Sequence, residues 1–211
     1  MAWQENALDR EGVMTELDPT SLAAADYTLG GLRPFPVAVT TSSNGRSNGL
    51  MSLSAGSAGI IRELPRVTIS LTKYNLTHDM VVESGVFAMH LLCNDEDVME
   101  ESLRILMVLG GSSGRDGDKI ASLNTRPGAS GVPILTDALA YVEAQVCGTL
   151  DNDENSIFVG DVIASERLRP SGGRLHINEA WGRLPRDWIE QYELNHVAQL
   201  EDAKRRRGLV V

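Results

Sequence analysis

Residues 34–92 read PFPVAVTTSSNGRSNGLMSLSAGSAGIIRELPRVTISLTKYNLTHDMVVESGVFAMHLL, and this stretch decides the fold. The apolar run after Pro36 reads as a strand that breaks at Asn44-Gly45, a dipeptide whose tolerance of positive φ makes it a strong hairpin signal. In VTISLT, Val67, Ile69 and Leu71 alternate with Thr68, Ser70 and Thr72, the two-residue period of a strand with one buried face. Asn75-Leu76-Thr77 opens a helix of about two turns that stops at Gly85, with Asn75 or Thr77 as its cap. VFAMHLL then reads as a further, largely buried strand.

Working outward, Asp18-Pro19 is a helix start, with Asp at the N-cap and Pro at the first helical position, and Gly30-Gly31 is its end. Residues 1–17 read as a polar arm. After the strand at 86–92, Asn94 is expected to cap an acidic helix carrying Met99, Leu103 and Leu106 on one stripe. The glycine-rich GGSSGRDGDK (110–119) is expected to be a loop. It lacks the spacing of a phosphate-binding P-loop. In LAYVEAQV, Ala140, Val142, Ala144 and Val146 share a face opposite Glu143 and Gln145. The polar turn 151–155 joins this strand to SIFVGDVIASERL. A last helix, about 187–207, places Ile189, Tyr192, His196 and Leu200 at helical spacing, with His196 in the core or at a subunit interface. Many strands, few helices and no linker predict one domain over 1–211, mainly β with peripheral helices, closed as a small barrel.

The 211 residues carry a formal net charge of -10, which disfavours nucleic-acid and anionic-membrane surfaces as partners. Cys93 and Cys147 lie in apolar runs without a CxxC pair, so buried free thiols in a reducing compartment are expected. No apolar run approaches the roughly 20 residues of a membrane helix, and the N-terminus lacks a signal-peptide pattern. A cytoplasmic protein is the expectation. His78, His90, His176 and His196 are too scattered for a local metal motif, and no Ser-His-Asp arrangement can be argued from their spacing.

PFPVAVTT, the segment Asn48-Gly49-Leu50-Met51-Ser52, the Lys73-x-Asn75-x-Thr77 step, Asp118-Lys119 and SIFVGDV follow one another in an order that resembles the flavin reductase-like, FMN-binding family. The resemblance spans roughly Leu29 to Ile163. It implies a split β-barrel that binds FMN, with FAD as an alternative, and takes NAD(P)H as co-substrate. Asn48, Gly49, Leu50, Met51, Ser52 and Ser54 would then hold the isoalloxazine edge, and Lys73, Asn75 and Thr77 the phosphate at a helix N-terminus. His78 stands beside that phosphate site. Many members carry Gly-Asp-His before the penultimate strand. Here the turn is Asp153-Glu154-Asn155, so Asn155 takes the place of the histidine and can donate a hydrogen bond but not carry a proton. The resemblance also implies a homodimer and a flavin-dependent monooxygenase that consumes the reduced flavin. The alternatives are a flavin carrier without reductase activity and an FMN enzyme acting on another substrate.

Overall fold

The computed structural model describes residues 18–208, and the polar arm expected at 1–17 lies outside the described residues. Two compact units divide at Leu32 and Arg33. The first holds helix α1 (Pro19–Gly31), started as expected by Asp18, whose carboxylate accepts from the amides of Thr20 and Ser21.

In the second unit, β1 (Val37–Ser43) and β2 (Arg46–Ser52) form the hairpin expected at Asn44-Gly45. The two turn residues have φ of 50° and 74°, as a two-residue hairpin turn matched to strand twist requires. Next come β3 (Ala55–Ser57), β4 (Arg66–Thr72), α2 (Leu76–Ser84), β5 (Val86–Leu91) and α3 (Met99–Gly111). A short ribbon, β6 (Thr125–Pro127) and β7 (Pro133–Leu135), precedes the long hairpin of β8 (Ala140–Asp151) and β9 (Asn155–Arg167), and α4 (Ile177–Arg183) and α5 (Arg186–Arg206) complete the unit.

Seven strands make one sheet in the order β2-β1-β5-β8-β9-β4-β3, and every pairing is antiparallel. β2 and β3 lie at opposite edges of that sheet, yet only Leu53 and Ser54 separate them in the chain. So short a link reaches about 10 Å, so the sheet must roll until its edges meet. A bond from Ser70 N–H to the Ser54 carbonyl ties the seam to β4. The interior is filled by Val37, Val39, Leu50, Val67, Ile69, Leu71, Phe87, Met89 and Phe158. Ala38 points the other way, into a second core where Ile105, Leu106 and Leu109 of α3 cover the barrel's outside. Gly160 on β9 has no room for a side chain: a Cβ would stand 2.9 Å from that of Ala144 and 3.0 Å from the Phe87 ring.

Several expectations change. Asn94 does not cap α3, because a 3-10 turn at Glu96–Val98 feeds the helix instead. Nor does α3 end before Gly110. It runs through Gly111, where a Cβ would come within 2.5 Å of Trp188 Nε1, so these glycines serve a close helix–helix approach. Glu143 is fully buried, covered by the segment around β6 and β7, and its carboxylate accepts from Ala129 N–H (2.8 Å) and Ser130 N–H (2.5 Å). Cys93 is buried as expected, but Cys147 is exposed on β8, whose far end lies beyond the covered face. On α5, Ile189 and Tyr192 are partly buried while His196 and Leu200 face solvent, so His196 is not a core residue. No helix of the described residues is long and apolar enough to cross a membrane.

Candidate functional site

The start of α2 is built to leave amides free. Asn75 holds the N-cap position but makes no capping bond, because its Nδ2 donates back to Thr72 Oγ1 at 2.5 Å. Thr77 lies one residue inside the helix rather than at its cap. Its buried hydroxyl accepts from Asn48 Nδ2 at 3.1 Å, which fastens β2 to the helix. A cavity of about 560 Å³ opens beside this junction. Asn48, Leu50 and Met51 line it from β2, and Asn75 and Thr77 from α2. The segment from Gly110 to Asp116, with Lys119, forms another wall, and Tyr192, Asn195, Ala198 and Gln199 of α5 complete it. Gly114 sits so close to Asn48 that a Cβ would fall 2.2 Å from Asn48 Oδ1.

Two cations enter this cavity. Arg115 uses one N–H on Asp79 Oδ2 at 2.8 Å. Lys119 donates to the carbonyls of Leu109 and Ser112, closing the C-terminal end of α3, and burial lowers its pKa to about 8. Burial pushes the Asp79 carboxyl up, but hydrogen bonds from Arg115 and His78 outweigh it and hold the group below the ordinary carboxylate range. Burial also raises the Tyr192 phenol.

Of the expected site residues, Asn48, Leu50, Met51, Asn75 and Thr77 come together at the cavity. Gly49 lies behind the wall, where a Cβ would meet the Val39 carbonyl at 2.6 Å. Ser52 is buried with its hydroxyl accepting from Ser54 N–H, and neither lines this cavity. Lys73 turns away, its Nζ 2.7 Å from Asp151 Oδ2. His78 sits behind the helix start, between Ser156 Oγ (2.9 Å) and Asp79 Oδ1 (3.1 Å), and Ser156 donates onward to Asp151 at 2.6 Å. One polar chain therefore runs Lys73, Asp151, Ser156, His78, Asp79, Arg115 and ends at the cavity. Asn155 opens β9 opposite Thr72, and its buried Oδ1 has no hydrogen-bond partner among the described residues.

Sequence reading missed Ser112, Ser113, Gly114 and Arg115 as site residues, together with the α5 wall. The available signal was the placing of Arg115 and Lys119 within a Gly/Ser-rich segment after an amphipathic helix. The donor set suits a phosphorylated flavin. Uncapped amides and Arg115 offer an anion site, while Leu50, Met51 and Tyr192 offer apolar surface for a ring system.

The comparisons agree with this geometry. The family model described as "Flavin reductase like domain" matches residues 31–180. The high molecular weight rubredoxin of Moorella thermoacetica is 35% identical over 104 residues, which are 49% of this chain and 43% of that protein. The chain thus spans less than half the length of that relative. The ferric-chelate reductase (NAD(P)H) of Archaeoglobus fulgidus is 29% identical over 133 residues, 62% of this chain and 74% of that one. Among solved structures, the NADH:FAD oxidoreductase of Streptomyces globisporus C-1027 superposes with a TM-score of 0.61 at 22% identity, covering 77% of this chain and 92% of that one. The rolled antiparallel sheet is accordingly a split β-barrel, and the chain belongs to the flavin reductase-like family.

Proposed function

We propose that this chain is an NAD(P)H-dependent flavin reductase, with FMN bound in the cavity between β2, α2, α3 and α5 and FAD as an alternative. The observation that carries the reading is that the start of α2, at Leu76 and Thr77, has no side-chain cap and lines the cavity together with Arg115, which is held on Asp79 of the same helix. The phosphate would meet those amides, Thr77 and Arg115, and the ring would lie along Asn48, Leu50 and Met51 toward Ser52 and Ser54. Bound flavin supplies hydride acceptance from the nicotinamide and return of the two electrons. The chain's part is to bind, orient and exclude water. Gly49 lets β2 pack tightly behind the ring. Lys73 and His78 act as positioning residues: through Asp151, Ser156 and Asp79 they set where Arg115 stands. The unpartnered Asn155 Oδ1 could accept from a ligand amide, which is its route to a role in orienting nicotinamide. The protein would work as a homodimer in the cytoplasm and could pass reduced flavin to a monooxygenase.

A second reading, a flavin carrier without reductase activity, is favoured by Asn155 itself, since an amide cannot move a proton where many relatives hold a histidine. The test uses the parent protein and Arg115→Ala. A charge-assisted hydrogen bond contributes about 1.5–3 kcal/mol, so the variant should bind FMN roughly tenfold or more weakly, with riboflavin affinity nearly unchanged. Equal losses for both flavins would remove Arg115 from the phosphate. Anaerobic addition of NADH or NADPH to the FMN-loaded parent should bleach its yellow colour, and persistence of the colour with both would select the carrier.

A further inference from the structure

A second cavity, of about 600 Å³, adjoins the first and plays no part in the reading above. It is open to solvent on one side and lined by Pro36, by Met51 of β2 and Leu53 just after it, by Leu106 and Gly110 of α3, by Ile177, Asn178, Trp181 and Gly182 of α4, and by Tyr192 of α5. Met51, Gly110 and Tyr192 belong to both cavities, so the two are neighbours across one thin wall. Their chemistry differs sharply. The first holds Arg115 and Lys119, whereas the second has no cation or carboxylate among its lining residues. Its walls are aliphatic and aromatic, with Trp181 edge-on to Tyr192 at 5.4 Å. The one amide, Asn178, is exposed, and its side chain has no hydrogen-bond partner among the described residues. Such a volume falls within the range of small-molecule sites, about 300–1,000 Å³.

We infer that this second cavity binds a planar, uncharged carbonyl-bearing ring of the quinone class, as an electron acceptor beside the flavin. The absence of charge selects a neutral ligand, since an ionised one would lose hydration with nothing to replace it. The aromatic walls select a flat ring, and Asn178 can donate one hydrogen bond to a carbonyl oxygen. The location selects an acceptor, because a ring resting on Met51 and Tyr192 is next to the surface along which the flavin ring would lie. Over one cycle NAD(P)H gives up a hydride, solvent gives a proton, and both quinone carbonyls become hydroxyls. NAD(P)+ and the hydroquinone leave, and the flavin is unchanged. The inference rests on the flavin reading for its electrons, though not for its binding site.

The experiment uses 2-methyl-1,4-naphthoquinone as probe, with the FMN-loaded protein and Gly182→Leu. A Cβ at position 182 meets nothing within 4 Å, and leucine suits a helix better than glycine, so the variant should fold while adding bulk to a residue of the cavity's lining. Calorimetry measures FMN and quinone affinity separately, and steady-state assays follow quinone reduction by NAD(P)H. The expected result is FMN affinity within twofold of the parent, with quinone affinity down and the KM for quinone up by at least tenfold. Reduced flavin released into solution would reduce the quinone at a rate indifferent to residue 182, so an unchanged KM overturns the inference. A parent that binds FMN but not the quinone overturns it too, as happens if a second copy of the chain fills the cavity. A parent that binds the quinone but no FMN overturns the acceptor role together with the flavin reading, and leaves the ring site standing.

Discussion

His90 shows how one side chain can fix both a tautomer and a pH limit. It is fully buried on β5, with Nδ1 donating to the Ala38 carbonyl and Nε2 accepting from Leu135 N–H, each at 3.1 Å. Only the neutral ring satisfies both partners, and burial lowers its pKa from 6.5 to about 4. The unfolded chain therefore binds a proton that the folded chain refuses between those values. The contribution of His90 to native stability is complete above pH 6.5 and is lost as pH drops toward 4, by an amount on the order of 3 kcal/mol. Urea unfolding at pH 7, 6 and 5 should show this slope. His90→Gln, whose amide can also donate and accept, should flatten the part between pH 6.5 and 5, where carboxylates contribute least. A parent whose stability is constant over that interval would remove His90 as its cause.

At the scale of elements, α5 is held lightly. Trp188, Ile189 and Tyr192 pack at its start, yet no residue of the helix is fully buried. Its far end is fastened by Arg207, which makes a bidentate pair with Glu154 in the β8–β9 turn, with contacts of 2.5 and 2.9 Å. Partly exposed pairs of this kind stabilise by at most about 1 kcal/mol. Arg207→Ala should leave the melting temperature almost unchanged. Because α5 walls the cavity from Tyr192 to Gln199, FMN should leave the variant up to about fivefold faster in stopped-flow measurements. An unaltered off-rate would mean the helix does not gate the site. The pairing also accounts for a glutamate in that turn, something local reading could not supply. What was legible was local: the Asn44-Gly45 hairpin, the alternation in β4, the glycine stop of α2 and the span of α5. What was not depended on distant partners. Gly110 and Gly111 read as loop until Trp188 is placed on them, and Glu143 reads as a solvent-facing residue until Ala129 and Ser130 fold over it. The candidate site divides the same way. Asn48, Asn75 and Thr77 were found on a compact run of sequence, while Arg115 and Tyr192 enter only through the packing of α3 and α5.

For the whole molecule, the proposed homodimer has a visible surface to use. Ile60, Ile61 and Leu64 stand exposed on the loop between β3 and β4. Apolar side chains grouped in this way mark an association surface more often than a solvated one. Light scattering at micromolar concentration should give twice the 22.9 kDa chain mass, and Ile60→Asp with Ile61→Asp should return the monomer. A parent that stays monomeric with flavin bound would overturn the dimer. The cluster where α3, α4 and α5 meet has an optical consequence. Trp188 stacks on Tyr192 at 5.2 Å and Trp181 meets both rings edge-on, so two of the chain's three tryptophans border the wall shared by the cavities. Flavin absorbs where indole emits, so the molecule carries its own occupancy gauge. Its ultraviolet-excited glow dims as the cavity fills and brightens as it empties, with no dye attached.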